Sequence, residues 1–431
     1  MGATFGMLYP HCRTQAEKGH HVRNQTVKAA VLVTGALLLA ACGTNKTENP
    51  GPGANGGQAC DFSKGTLVIG VIAPQSGGLS ALGLGIKNSA ELAAEQANQK
   101  CTVKGYEIKV QTEDDQATAQ VGGQAATRLS SNPDIVGVVG TLNSSVAQTV
   151  QPILSGKKIL MVSPANTNPS LTQGKDYATA PKRQFENYFR VCATDALQGP
   201  FAADYMVGTA GKKSIAIITD GKTYGEGLAA EFKKQAEKMG AKVVATARVG
   251  ERETDFSAAI TSIRGANPDA VYYGGEYPQA GPLSKQLKDA GLNIPLMGGD
   301  GIYDDRFIEL GGKDGDLATS VGAPTESLDT AKAFVDAYNA KGYKDGYSAY
   351  GAFSFDATNV IIAALAQAIG DGEWGEDKRA AMLTAAQGYS AQGATGEVKF
   401  DEFGDSTNKL LTVYKVTGGE WVADKTGTFG G

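Results

Sequence analysis

The chain has 431 residues, 42% of them hydrophobic and 20% charged, with a formal net charge of −5. That length suits two lobes better than one compact core. The first 41 residues carry Arg13, Lys18, Arg23 and Lys28 against Glu17, a net +3 that leaves −8 for the rest. An acidic body of this kind has little electrostatic reason to bind nucleic acid or an anionic membrane surface. The histidines are His11, His20 and His21, all upstream of an export signal. The mature part then has none, which excludes Ser-His-Asp triads, Cys-His dyads and His-ligated metal sites. No two of the five cysteines form a CxxC pair, so a zinc ribbon or thioredoxin motif is excluded too.

In chain order, Ala29 to Ala41 (AAVLVTGALLLAA) is a short apolar run behind Arg23 and Lys28. It falls short of the roughly 20 apolar residues of a membrane-spanning helix and reads as a secretory signal over residues 1–41. The run ends Leu39-Ala40-Ala41-Cys42-Gly43, which resembles the lipobox of bacterial lipoproteins. That resemblance implies cleavage before Cys42 and a lipid on its sulfur. A signal starting at Val22 has normal proportions, so Val22 is the expected true start. Residues 43–59 are rich in Gly, Pro and Asn and read as a flexible tether, the anchor and linker together spanning 42–65.

Strands and helices then alternate. Leu67 to Ala73 (LVIGVIA) reads as a buried strand. Gly85 to Gln99 places Ile86, Ala90, Ala93, Ala94 and Ala97 on one helical face. Strands follow at 106–111, 135–139 and 159–162, with helices at 118–131 and 144–154. A second series has strands at 214–219, 243–249, 270–273 and 295–297, and helices at 224–239, 256–264 and 279–290. Helices at 330–341 and 350–369 come next, and a hairpin at 410–422 turns at Gly418-Gly419. Alternation of this kind predicts an α/β fold with parallel sheets covered on both faces. Two series predict two doubly wound lobes, with a cleft at the carboxyl ends of their strands. Cys60 and Cys101 precede neighbouring strands, which predicts a Cys60–Cys101 disulfide, with Cys192 a buried free thiol.

Ile217 to Leu228 (IITDGKTYGEGL), then Asp255-Phe256-Ser257 and Val271-Tyr272-Tyr273-Gly274-Gly275, closely resemble the leucine/isoleucine/valine-binding proteins of ABC importers, which are type I periplasmic binding proteins. The resemblance runs from about Leu67 to the end. It includes Ser76-Gly77, Glu113-Asp114-Asp115, Gly140, Pro164-Ala165, Gln198-Gly199-Pro200 and Leu296-Met297-Gly298. It implies three crossover strands near 194, 323 and 404. The lobes are then 66–194 with 324–404, and 195–323 with 405–425, followed by a tail at 426–431. It also implies an amino-acid ligand and permease subunits as partners; the export signal and Cys42 give the expected place on the outer face of the cell membrane, and no cofactor or metal is expected.

By the same resemblance, Ser144 at a helix start binds the ligand carboxylate, in keeping with an anion site at a helix N-terminus. The loop Ala165-Asn166-Thr167 supplies a carbonyl, a hydroxyl and an amide. Asp300 pairs with the ligand ammonium, a strong charge-assisted bond in a closed cleft, and Tyr224 reaches in from the second lobe. The side-chain pocket departs from the family pattern. Leu82 and Glu276 stand where the family has aromatics, Tyr350 where it has phenylalanine. Glu276 beside an aliphatic side chain is costly unless paired or turned away. Branched-chain, polar, cationic and amide ligands therefore all stay open. For an enzyme, the GxSxG, GxxxxGK[ST] and GxGxxG motifs are absent, and Glu113-Asp114-Asp115 reads as a solvated strand end. An extracellular hydrolase and a sensory subunit for a small amide or other polar metabolite remain alternatives to transport.

Overall fold

The structure is a computed structural model that describes residues 60–430. The export signal, the Val22 start, the Cys42 anchor and the tether through residue 59 lie outside the described residues.

Hydrophobic runs form the first sheet. β1 (Gly65–Ala73), α1 (Ser80–Gln99), β2 (Tyr106–Asp114), α2 (Ala119–Ser130), β3 (Ile135–Gly140), α3 (Ser144–Ser155), β4 (Leu160–Ser163), α4 (Ser170–Gln173) and β5 (Tyr188–Arg190) follow one another. The five strands pair in parallel in the order β2-β1-β3-β4-β5. The two-residue period of a strand divides its side chains between two cores. Leu67, Ile69 and Val71 face α1, while Ile72 joins Ala125, Leu129, Val146 and Val150 of α2 and α3. A parallel sheet must be covered in this way on both faces.

The second sheet begins after α5 (Asp195–Ala203), with β6 (Ser214–Thr219), α6 (Thr223–Lys238), β7 (Lys242–Arg248), α7 (Ser257–Arg264), β8 (Ala270–Gly274), α8 (Tyr277–Asp289), β9 (Leu296–Gly298), α9 (Asp305–Glu309) and β10 (Leu317–Ser320). The chain then returns to the first sheet. There α10 (Lys332–Lys341), α11 (Gly351–Ile369) and α12 (Arg379–Gln387) precede a small hairpin, β11 (Ser390–Gly393) and β12 (Gly396–Lys399). The Ser354 hydroxyl of α11 donates to the Ile86 carbonyl of α1 at 2.7 Å. A last passage reaches β13 (Leu411–Thr417) and β14 (Glu420–Gly427), which pair antiparallel on the edge of the second sheet, ordered β14-β13-β10-β9-β8-β6-β7.

Several limits differ from the sequence reading. α1 starts at Ser80 instead of Gly85 because its early glycines are needed for packing, not for breaking the helix. A Cβ on Gly83 would lie 1.9 Å from the Pro74 carbonyl oxygen, and one on Gly85 2.5 Å from that of Tyr347. β14 runs to Gly427, past the expected hairpin end at Val422 and into the expected tail, because Leu411 and Gly427 are partners in the ladder. The Gly418-Gly419 turn is where expected, at φ +62° and +81°. α5 and α12 and the short strands β5 and β10 were not foreseen. In α5, Gly199 and Pro200 hide the helical pattern.

Cys60 and Cys101 form the expected disulfide, their Cα atoms 5.4 Å apart, and Cys192 is a buried free thiol. Residues 60–64, assigned above to the linker, are thereby tied to the first lobe. The Lys64 amide donates to the Gly105 carbonyl at 2.9 Å, and its ammonium to the Asp371 carbonyl at 2.8 Å.

Candidate functional site

The carboxyl ends of both parallel sheets face each other, where helix N-termini and loops gather. Leu82, Leu142, Asn143, Ser144, Ala165, Tyr224, Glu276, Asp300, Gly301 and Tyr350 enclose a cavity of about 20 Å³ there, room for about one water molecule. The cleft is closed. Tyr350 of the first lobe donates to Asp300 Oδ2 of the second at 2.7 Å. Thr223 Oγ1 donates to Gln148 Oε1 at 3.1 Å, Asn168 Nδ2 to the Thr223 carbonyl at 3.0 Å, and Tyr177 to Glu231 at 2.6 Å. Two further contacts join the lobes, from Tyr277 to the Gly78 carbonyl and from Asn143 Nδ2 to Glu276 Oε1.

Ser144 opens α3 and is buried against the cavity. The helix's own ladder starts with Val146 and Ala147 donating to the Asn143 carbonyl, both at 3.1 Å. The amides of Ser144 and Ser145 have no place in that ladder, so the cavity wall carries the positive end of the helix.

Ala165 lines the cavity, whereas Asn166 and Thr167 lie buried behind it. The Ser163 hydroxyl accepts from the amides of Ala165 and Asn166 at 3.2 and 2.9 Å. Asn166 Nδ2 donates to the Leu142 carbonyl at 2.8 Å, and Tyr188 donates to Asn166 Oδ1 at 3.1 Å. Arg190 holds the loop from below. Its Nη1 donates to the carbonyls of Asn166 and Asn168 at 2.7 and 2.9 Å, its Nη2 to Thr172 Oγ1 at 2.6 Å, and its Nε to Asp405 Oδ1 at 2.6 Å.

Asp300 follows β9 and is buried. Gln198 Nε2 and the Tyr224 hydroxyl donate to its Oδ1 at 2.9 and 2.8 Å, complementing Tyr350 on Oδ2. Burial pushes the Asp300 carboxyl above the usual range, and these three donors oppose that shift. Tyr224 reaches Asp300 from the first turn of α6, which passes close to β8. A Cβ on Gly225 would lie 2.4 Å from the Gly274 carbonyl oxygen, so glycine is required there. Gln198 was read only as part of the family resemblance, and its role in holding Asp300 was missed because α5 was not recognised. Asn143 was missed as well, although it immediately precedes Ser144.

Glu276 is buried at the start of α8. Besides Asn143, Lys222 Nζ approaches its Oε2 at 3.2 Å while also pairing with Glu251 at 3.0 Å. Two more carboxylates stand nearby. Asp115 follows β2 and is fully buried, so the last residue of the acidic run does not belong to the solvated strand end expected above. Asp220 follows β6 and is buried too. Burial, then the nearby charge of Asp114 and Glu276, pushes Asp115 up to about 7. Burial and Glu276 push Asp220 up to about 7. In the unfolded chain both would titrate near 3.8. The folded protein thus binds more protons than the unfolded chain between these values, and its stability falls as pH rises through that window. Asp115→Asn is expected to flatten the decline in melting temperature between about pH 4 and pH 7. An unchanged slope in thermal melts across that range would contradict the assignment.

Two doubly wound lobes closed over a cavity with an anion-binding wall and a buried carboxylate define a two-lobed ligand-binding protein. The sequence matches the periplasmic binding protein family over residues 66–420. The chain belongs to that family. It is 32% identical over 359 residues to the Leu/Ile/Val-binding protein BraC3 of Rhizobium johnstonii, covering 83% of this chain and 93% of that one. It is 31% identical to the leucine-, isoleucine-, valine-, threonine- and alanine-binding protein of Pseudomonas aeruginosa, covering 84% and 92%. The crystal structure of the leucine-binding protein LivK from Thermotoga maritima superposes with a TM-score of 0.73 at 29% identity, covering 84% of this chain and 98% of that one.

Proposed function

We propose that this protein is the extracytoplasmic substrate-binding component of an ABC importer, and that it captures an α-amino acid between its lobes. The observation that carries this reading is the pairing of opposite poles on one cavity, the α3 N-terminus at Ser144 and the buried Asp300. A zwitterion presents a carboxylate and an ammonium, and each would meet its complement. The Ala165 carbonyl would add an acceptor for the ammonium, and Thr167 would act from behind the loop. Tyr224 and Tyr350 bring Asp300 contacts from opposite lobes, so closure would complete the site and ligand would favour the closed form. The relatives named for leucine, isoleucine and valine support an amino-acid ligand. The lobe limits implied by the resemblance, export, lipid attachment at Cys42 and delivery to permease subunits belong to the same reading.

The test is calorimetry on the full chain, unfolded and refolded to release bound ligand, against the α-amino acids and analogues lacking either the α-carboxylate or the α-ammonium. Binding is expected only when both groups are present. Equal affinity for an analogue lacking the ammonium would overturn the reading.

A further inference from the structure

We infer that the captured amino acid carries a cationic side chain, a guanidinium or ammonium on an aliphatic stem, received by Glu276. This inference rests on the amino-acid reading above and names the class of substrate.

The wall beyond the head-group contacts combines two chemistries. Leu82 and Leu142 are apolar and suit methylenes; Asn143 and Glu276 present oxygens. Asn143 spends its Nδ2 on Glu276, and its Oδ1, on a residue 4% exposed, has no hydrogen-bond partner among the described residues. Behind this wall, Asp115 Oδ2 and Asp220 Oδ2 are also buried without hydrogen-bond partners among the described residues. A buried acceptor left without a donor is destabilising, because its lost hydration is not replaced. The cluster is therefore short of donors and of positive charge. An aliphatic ligand would leave this deficit in place and shield it from water. A guanidinium or ammonium would supply both the donors and the charge.

Lys222 supplies part of the compensation in the closed cleft. Its ammonium lies between Glu276 and Glu251, at 3.2 and 3.0 Å. An arriving cation could take over Glu276 while Lys222 stays paired with the half-exposed Glu251. A single metal ion fits less well, since no group of three His, Cys, Asp or Glu side chains among the described residues is close enough to hold one. Sites built around buried polar groups reject ligands that cannot satisfy them far more strongly than apolar pockets reject an extra methylene. The expected preference is accordingly large.

The experiment is competition calorimetry on the refolded full chain with arginine, lysine, glutamine and leucine. Arginine or lysine is expected to bind at least about tenfold more tightly than leucine. Glu276→Leu is expected to reverse that order. Lys222→Met removes the competing ammonium and is expected to tighten the cationic ligand several-fold, a gain that a misfolded variant would not produce. Leucine binding more tightly than both arginine and lysine would overturn this inference and leave the amino-acid reading standing. Failure of every α-amino acid to bind would overturn both.

Discussion

Asp300→Asn is expected to weaken capture of the amino acid by about 100-fold, about 2.7 kcal/mol, the scale of one hydrogen bond to a charged group lost in a dry site. The fold has little reason to fail. An asparagine Oδ1 can still accept from Gln198 and Tyr224, which lie at 2.9 and 2.8 Å from Asp300 Oδ1. Its Nδ2 would face the Tyr350 hydroxyl, which can turn from donor to acceptor. Burial already disfavours the charged form of Asp300, so the ligand-free variant should melt no lower than the parent. Calorimetry and thermal melts read the two effects separately. An affinity within about threefold of the parent would remove Asp300 from the ammonium site.

Arg190→Met is expected to destabilise the protein by about 3–5 kcal/mol, because it leaves Asp405 as a buried charge without its counter-ion. Arg190 is fully buried, and its guanidinium makes the bonds to Asp405, Asn166, Asn168 and Thr172 described above. Asp405 keeps donors from Thr172 Oγ1 at 3.0 Å and Gln173 Nε2 at 2.7 Å and the more distant charge of Arg183, but no ion-pair partner among the described residues. Denaturant unfolding measures the loss. Arg190→Met with Asp405→Asn is expected to recover part of it, since both charges are then gone. The freed carbonyls of Asn166 and Asn168 would let the loop after β4 relax, so ligand affinity should fall as well. A loss below about 1 kcal/mol would show that the pair contributes no more than a surface ion pair.

Periodicity made most of the elements legible, because the burial pattern of a helix or strand is written in neighbouring residues. LVIGVIA marked β1, and the face from Ile86 to Ala97 marked α1. The disulfide was legible because two cysteines precede strands that had to be neighbours. Elements whose reason lies elsewhere in the chain were not. α5 carries Gly199 and Pro200, and β5 carries a charge, Arg190, whose partner Asp405 lies more than 200 positions away.

The candidate site divides along the same line. The order of the motifs, the helix start at Ser144 and the acid at Asp300 could be read from the sequence, since each is a local signal backed by resemblance. Asn166 and Thr167 were grouped with Ala165 by adjacency, yet only Ala165 faces the cavity. Glu276 was ambiguous in one dimension, fitting equally well a buried side chain and one turned to solvent. The tertiary structure decided it, because closure brings Asn143 from the other lobe and Lys222 from a neighbouring loop onto its carboxylate, with Asp115 and Asp220 nearby. The sequence by itself determined two series of alternating strands and helices and the local signals at Ser144 and Asp300. Only the packing of one lobe against the other determined the electrostatics of the space between, since the charges that set it come from strand ends in both lobes.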